Sequence, residues 1–490
     1  MNSERLVHSS RFALMGILTF LMLTSANLLA NEEQSFDKPA HLQALIEMLQ
    51  SPKSEAIEHY VDLYFHSDAL NRWGGEGRQR YIGWLKSVKH RHQSMQVHKT
   101  LPQDPERSTV RGNMLSKSTE LIYTVTANLS TEKPHKVTGL YLTPQQPSIL
   151  SNNQRLTKAE LAEKLSEYIN KIANNGAFSG TVLLADSEGV LYQSAKGLAE
   201  RRFSVPNNLQ TKFNLGSISK MFTGVSVLQL VEAGKLSLQD PVVKYLNRDY
   251  FGKGAFEKVT IAHLLSHTSG LGYPSYPKTH PNDLRNLSDH LPFLKYLPLT
   301  AEPGTRFRYS NEGMILLGLV IESITQESYD TYVKEHIFDK AGMPNTGNYD
   351  VDGVTPNMAM GYFYSDKLNS MQSNWFIHAI KGNSAGGSYS TIKDLYAFSK
   401  TLTSHKLLSS HYSELAYSAK PEFNSARYGY GFGIWEGKNG KVIGHSGAFI
   451  GVSAEFRVFL EKDLVLIILA NQDDATTPVL TVANYLIEHL

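Results

Sequence analysis

The residues most capable of covalent chemistry lie in the run Phe213-Asn214-Leu215-Gly216-Ser217-Ile218-Ser219-Lys220. Apolar positions at Met221, Val225, Leu228 and Val231 predict a helix over 217–233, which places Ser217 at its N-terminus. Free N–H groups and the positive dipole end at such a terminus can stabilise an oxyanion. Lys220 follows three residues later, so its amine can face the Ser217 hydroxyl. A lysine near a helix N-terminus is disfavoured as a cation, which helps it act as a neutral base. The S-x-x-K spacing alone is weak, because it recurs at Ser35/Lys38, Ser130/Lys133, Ser275/Lys278 and Ser390/Lys393. Only Ser217 opens a long apolar-faced helix directly after a glycine.

A second group is Tyr309-Ser310-Asn311, where a tyrosine can relay a proton and an amide can hold a substrate carbonyl or amide. Pro303-Gly304-Thr305 turns into it and an apolar helix, Met314–Ile324, follows, so Tyr309 is expected in an exposed loop. A third is His445-Ser446-Gly447, just ahead of the strand-like Ala448–Phe459. A glycine there lets an edge-strand backbone approach a ligand closely.

Each triplet is common by itself. Together, in the order S-x-x-K, Y-x-N, H-x-G, they are informative. They are joined by Thr260-Ile261-Ala262-His263-Leu264-Leu265-Ser266-His267-Thr268-Ser269-Gly270-Leu271, by Pro303–Asn311, by Ala385-Gly386-Gly387 with Ser390-Thr391, and by Asn471. On these stretches the chain from about 155 to 490 resembles the serine beta-lactamase-like superfamily. That group includes class C beta-lactamases, D-alanyl-D-alanine carboxypeptidases, esterases and D-aminopeptidases. The resemblance implies an α/β sandwich: an antiparallel sheet flanked by helices, with a helical region beside it and the site between them.

It further implies that Ser217 is the acylated nucleophile, with Lys220 and Tyr309 as the proton-transfer pair in an unassigned division of labour. Asn311 would bind the acyl-side amide of the substrate, and His445, Ser446, Gly447 and Ala448 would complete the binding wall. The N–H groups of Ser217 and Ala448 would form the oxyanion hole. His445 stands where many beta-lactamases carry lysine. A histidine is expected to titrate near neutrality and to charge only partly. A carboxypeptidase or esterase is therefore expected over an efficient beta-lactamase. His263 and His267 are expected to serve packing. No metal or organic cofactor is implied.

The elements that must position these residues are legible in outline. Thr157 and Glu160 predict a capping box ahead of an amphipathic helix through Ile172. A strand at Thr181–Ala185 and a returning strand at Val190–Ala195 follow. The far end reads as strands at Ser453–Phe459 and Leu464–Ala470 and a last helix near Pro478–Leu490. Strands at both ends of the domain predict one antiparallel sheet closed by its N- and C-terminal segments. Gly272–Thr300, with five prolines, is expected to overhang the site.

Upstream, residues 36–142 read as a small α+β domain, of a cystatin-like or nuclear-transport-factor-like kind. Helical periodicity runs from His41 to Phe65 and is split at Pro52; a helix is expected at Arg80–Lys89 and strands at Glu120–Asn128 and His135–Leu142. His90, His92 and His98 are expected to be solvated polar residues at a strand or loop. A Pro-, Gln-, Ser- and Asn-rich linker occupies 143–155, and the hydrolase-like domain is expected over 156–490.

Composition narrows the chemistry. There is no cysteine in the 490 residues, which excludes disulfides, thiolate metal sites and a cysteine nucleophile. A net charge of +2, from 48 basic and 46 acidic residues, gives no footprint for nucleic acid. Residues 1–30 carry Arg5 and Arg11 ahead of an apolar run from Phe12 to Leu23 and small residues to Ala30. This pattern predicts a secretory signal peptide, cleaved or kept as an anchor, and an exported, periplasmic or secreted protein without a further membrane span. The leading reading is an exported serine hydrolase acting on an ester, D-amino-acid peptide or beta-lactam. The alternative is a penicillin- or muropeptide-binding sensor that acylates with little turnover. A third reading has residues 36–142 binding a partner with the hydrolase as scaffold.

Overall fold

A computed structural model describes residues 38–490, except 52, 54, 72–74, 102–107, 148, 151–153, 248–255, 273–283, 295–296 and 378. The expected signal peptide at 1–30 and much of the expected overhanging segment, at 273–283, lie outside the described residues. The described chain divides into two compact units, and residues 142–490 lie wholly in one of them.

Before residue 145 the helices are Lys38–Gln50, Glu55–Tyr64 and Gly77–His92, with a single helical turn at Ser67–Leu70. Strands Met95–Thr100, Thr109–Ser116, Ile122–Leu129 and Val137–Pro144 form one sheet in chain order. The first two strands were not anticipated. In Thr109–Ser116 the buried positions include Gly112 and Ser116, so the inward face is not a row of large apolar residues and its period-2 signal is faint. His92 also departs from expectation: it ends a helix, is buried, and lies 2.9 Å from the Ser116 hydroxyl.

In the larger unit the capping box forms as predicted. The Glu160 N–H donates to Thr157 Oγ1 at 3.2 Å, and the Thr157 N–H donates to the Glu160 carboxylate at 2.8 Å. Helix α1 (Lys158–Asn174) then leads into β1 (Gly180–Ala185) and β2 (Val190–Lys196). Near the C-terminus come β3 (Gly433–Gly437), β4 (Gly440–Phe449), β5 (Val452–Phe459), β6 (Leu464–Ala470) and helix α4 (Thr476–Ile487). The six strands form one sheet in the order β3-β4-β5-β6-β1-β2, every neighbour antiparallel. The expected closure is seen where β6 pairs with β1, Ala470 opposite Gly180 and Val465 opposite Ala185.

The apolar run of β6 follows from burial on both faces. Val465, Ile467 and Leu469 join the main core, with Ile392, Leu395 and Phe398 of helix Ile392–Thr403 and Phe222 of helix α2 (Lys220–Glu232). Leu466 and Ile468 are equally buried but point to the other face, where α1 and α4 pack. Truncation at this centre has a large expected effect: Ile467→Ala should cost about 3 kcal/mol, read as a lowered urea midpoint at unchanged slope. No helix among the described residues is long and apolar enough to cross a membrane.

Candidate active site

Ser217 stands on a single 3-10 turn, Gly216–Ser219, that runs directly into α2. The expected helix over 217–233 thus begins as a tighter turn and becomes α-helical at Lys220. Two glycines let this turn meet β4. Gly216 has φ 51°, and a Cβ built there would lie 2.8 Å from the Ala448 nitrogen. A Cβ on Gly447 would lie 1.9 Å from the Leu215 carbonyl oxygen and 3.3 Å from the Ser217 nitrogen. The ladder between β3 and β4 ends at Gly433 opposite Gly444. The stretch His445–Phe449 therefore presents its outer edge to the Leu215–Ser217 turn, with the Ser217 and Ala448 nitrogens on facing segments.

Lys220 is fully buried, and its Nζ lies 3.0 Å from Ser217 Oγ. It also hydrogen-bonds the Ala385 carbonyl and lies 4.8 Å from the Tyr309 ring centroid. Burial brings its amine down from 10.5 to about 7, while the Glu312 carboxylate pushes the other way. Tyr309 is half-buried rather than exposed, because its loop packs under neighbouring rings. Burial raises its hydroxyl, opposed by an interaction with the Ser217 side chain.

The loop is held from both sides. Ser310 caps helix α3 (Asn311–Thr325) by accepting the Gly313 N–H at 3.0 Å. Its own N–H donates to His267 Nδ1 at 3.2 Å, and the His267 ring lies 4.3 Å from Tyr309. His267 thus packs as expected, and the surface it packs against is the Tyr309 ring. Asn311, at the start of α3, is exposed and lines the cleft with Ser217.

His445 corrects the expectation of partial charge. Its Nδ1 lies 2.6 Å from the Ser446 carbonyl, so Nδ1–H donates there, and Nε2 accepts from the Tyr428 hydroxyl at 2.9 Å. Burial, with the charges of Lys220 and Arg457, holds the imidazole down at about 3. The ring is neutral across the physiological range. Ser446 alternates to the other face of β4, donating to Glu455 at 3.1 Å and accepting from Arg457 at 2.8 Å.

The cleft, of about 210 Å³, is lined by Asn214, Gly216, Ser217, Asn311, Ile315, Ala379, Lys381, Asn383, Ala385, Gly386, Gly387, Ala448 and Phe449. Of these, Asn214, Lys381, Asn383 and Phe449 were not singled out from the sequence, nor was Tyr428 behind His445. A signal for Tyr428 existed in the alternation Tyr428-Gly429-Tyr430-Gly431-Phe432-Gly433. Lys381 carried none, since a single lysine in a loop has no pattern.

The Beta-lactamase family model matches residues 161–488, which spans the sheet and every residue of this cleft. The chain belongs to the beta-lactamase family. Within this family it is 31% identical over 323 residues to a penicillin-binding protein of Bacillus subtilis strain 168, covering 61% of this chain and 69% of the relative. It is 33% identical over 207 residues to the esterase EstB of Burkholderia gladioli, covering 39% of this chain and 53% of that one. A solved penicillin-binding protein of Bacillus halodurans superimposes with a TM-score of 0.58 at 29% identity, covering 66% of this chain and 98% of the other. The beta-lactamase-type sandwich expected from the sequence is the fold observed.

Proposed function

We propose that this protein is an exported serine hydrolase that works through an acyl-enzyme on Ser217. The observation that carries the reading is the 3.0 Å approach of a fully buried Lys220 amine to the Ser217 hydroxyl. With the amine neutral, the serine O–H donates to it and the hydroxyl oxygen is free to attack a carbonyl carbon. As the Oγ–C bond forms, the carbonyl oxygen becomes an oxyanion held by the Ser217 and Ala448 N–H groups. The proton taken by Lys220 passes to the leaving group through Tyr309 as the old C–O or C–N bond breaks. Water then repeats the sequence against the acyl-enzyme and releases the acid. Because burial raises Tyr309 and lowers Lys220, the resting base is the lysine and the tyrosine is the relay.

The substrate class we favour is an ester or amide without a carboxylate at the leaving-group end. His445 is neutral where a cation would face such a group. Among the described residues lining the cleft the only cation is Lys381, and it pairs with Asp330 at 2.6 Å. The test is labelling of the purified protein with a fluorophosphonate, followed by peptide mass mapping and a screen of p-nitrophenyl esters, D-alanyl peptides and nitrocefin. We expect one adduct, on Ser217, turnover of esters ahead of nitrocefin, and no label in Ser217→Ala. Label retained in that variant would overturn the assignment. A stoichiometric adduct that never turns over would identify an acylating sensor instead.

A further inference from the structure

We infer that the substrate carries an apolar acyl group, which lies on an exposed platform formed by Trp375, Phe376, Ile377, Phe449 and Ile450 beside the catalytic cleft. The inference rests on the acyl-enzyme reading above and adds the chemistry of the acyl side.

These five residues are exposed: Phe376 by 91%, and the other four by 40–45%. Large apolar side chains scattered singly over a surface need no explanation, but a contiguous group does. Here two segments are tied together. The Asn374 side-chain amide donates to the Ile450 carbonyl at 2.8 Å, and the Ile377 N–H closes a turn onto the Asn374 carbonyl. The turn 374–377 is thereby fixed beside the tip of the β4–β5 hairpin. The platform meets the cleft at Phe449, which lines it together with Ser217.

The direction of the substrate follows from the proton path. A leaving group must lie where Tyr309 can protonate it, and Tyr309 sits toward His445, with ring centroids 6.2 Å apart. The carbonyl oxygen lies at Ala448. Phe449 continues the strand away from His445, at roughly 3.3 Å per residue, and Ile450 opens the turn that follows it. The acyl group therefore runs outward along β4 onto the platform, while the leaving group stays at the His445 end.

The experiment uses the full chain and two ester series: p-nitrophenyl acetate, butyrate and octanoate below their aggregation concentrations, and acetate esters of lengthening alcohols. Each methylene moved from water onto a half-open apolar surface is worth about twofold, below the roughly fourfold of full burial. We expect kcat/KM to rise about sixteenfold from butyrate to octanoate, and less than about twofold along the alcohol series. The double variant Phe376→Ser/Ile450→Ser should flatten the acyl series. Phe376→Leu, which keeps apolar area, should retain the slope, as should Phe203→Ser, an exposed aromatic outside the platform. A flat acyl series in protein whose Ser217 is labelled by fluorophosphonate overturns the platform and leaves the acyl-enzyme intact. Failure of labelling overturns both. An unchanged slope in the double variant, together with lost binding to phosphatidylcholine vesicles, overturns the inference in favour of a lipid-docking surface.

Discussion

Replacing Lys220 with methionine should lower acylation of Ser217 by about four orders of magnitude, leaving only what the oxyanion hole and substrate binding contribute. Methionine fits the buried site without a charge to desolvate, so folding should survive and the loss should be chemical. Lys220→Arg should be as inactive, because a guanidinium does not give up its proton near neutrality. The pH profile provides the sharper check. Lys220 must be neutral to accept the serine proton, and burial brings it to about 7. Activity should therefore be low at acid pH and rise through an apparent pKa near 7, well below an ordinary lysine. The Glu312 carboxylate raises the lysine. Glu312→Gln should move the rising limb to lower pH, as seen in kcat/KM measured from pH 5 to 9. A limb that stays in place would show that another group controls the rate.

The second large effect is expected at Gly447. An alanine there would bring its Cβ to within 1.9 Å of the Leu215 carbonyl oxygen, and backbone cannot yield as a side-chain tip can. The strand and the nucleophile turn must separate, which carries the Ala448 N–H away from the position of the developing oxyanion. Loss of one such donor costs about 10²–10³ in kcat. Gly447→Ala should lose that much with KM changed far less, because the transition state depends on the donor more than the ground state does. Gly437→Ala is the control, since nothing lies within 4 Å of a Cβ at that position. Equal activity in the two variants would remove Ala448 from the oxyanion hole.

Much of this site is local and could be found in the chain. Lys220 reaches Ser217 because residues three apart share a helix face, and this holds whatever surrounds them. The Thr157–Glu160 box and the doubly buried run of β6 are likewise properties of short segments. The misses have separate causes. Tyr309 was expected to be exposed because its loop was considered alone, yet the rings of His267 and Tyr428 come to it from 42 residues before and 119 after. The small inward residues Gly112 and Ser116, alternating with Val110 and Met114, concealed the strand Thr109–Ser116.

Residue types, order and spacing thus singled out Ser217, Lys220, Tyr309 and Asn311, the proposed nucleophile, base, relay and amide, and determined the sandwich that presents them. The tertiary structure alone decided the electrostatics. Lys220 is brought to about 7 and His445 to about 3 chiefly by burial, and burial belongs to the packed whole. A histidine expected to switch near neutrality becomes a neutral hydrogen-bonding link between Tyr428 and the Ser446 carbonyl. The cleft wall formed by Ala379, Lys381 and Phe449 has the same origin, because residues from distant parts of the chain become neighbours only when the sheet and helices close.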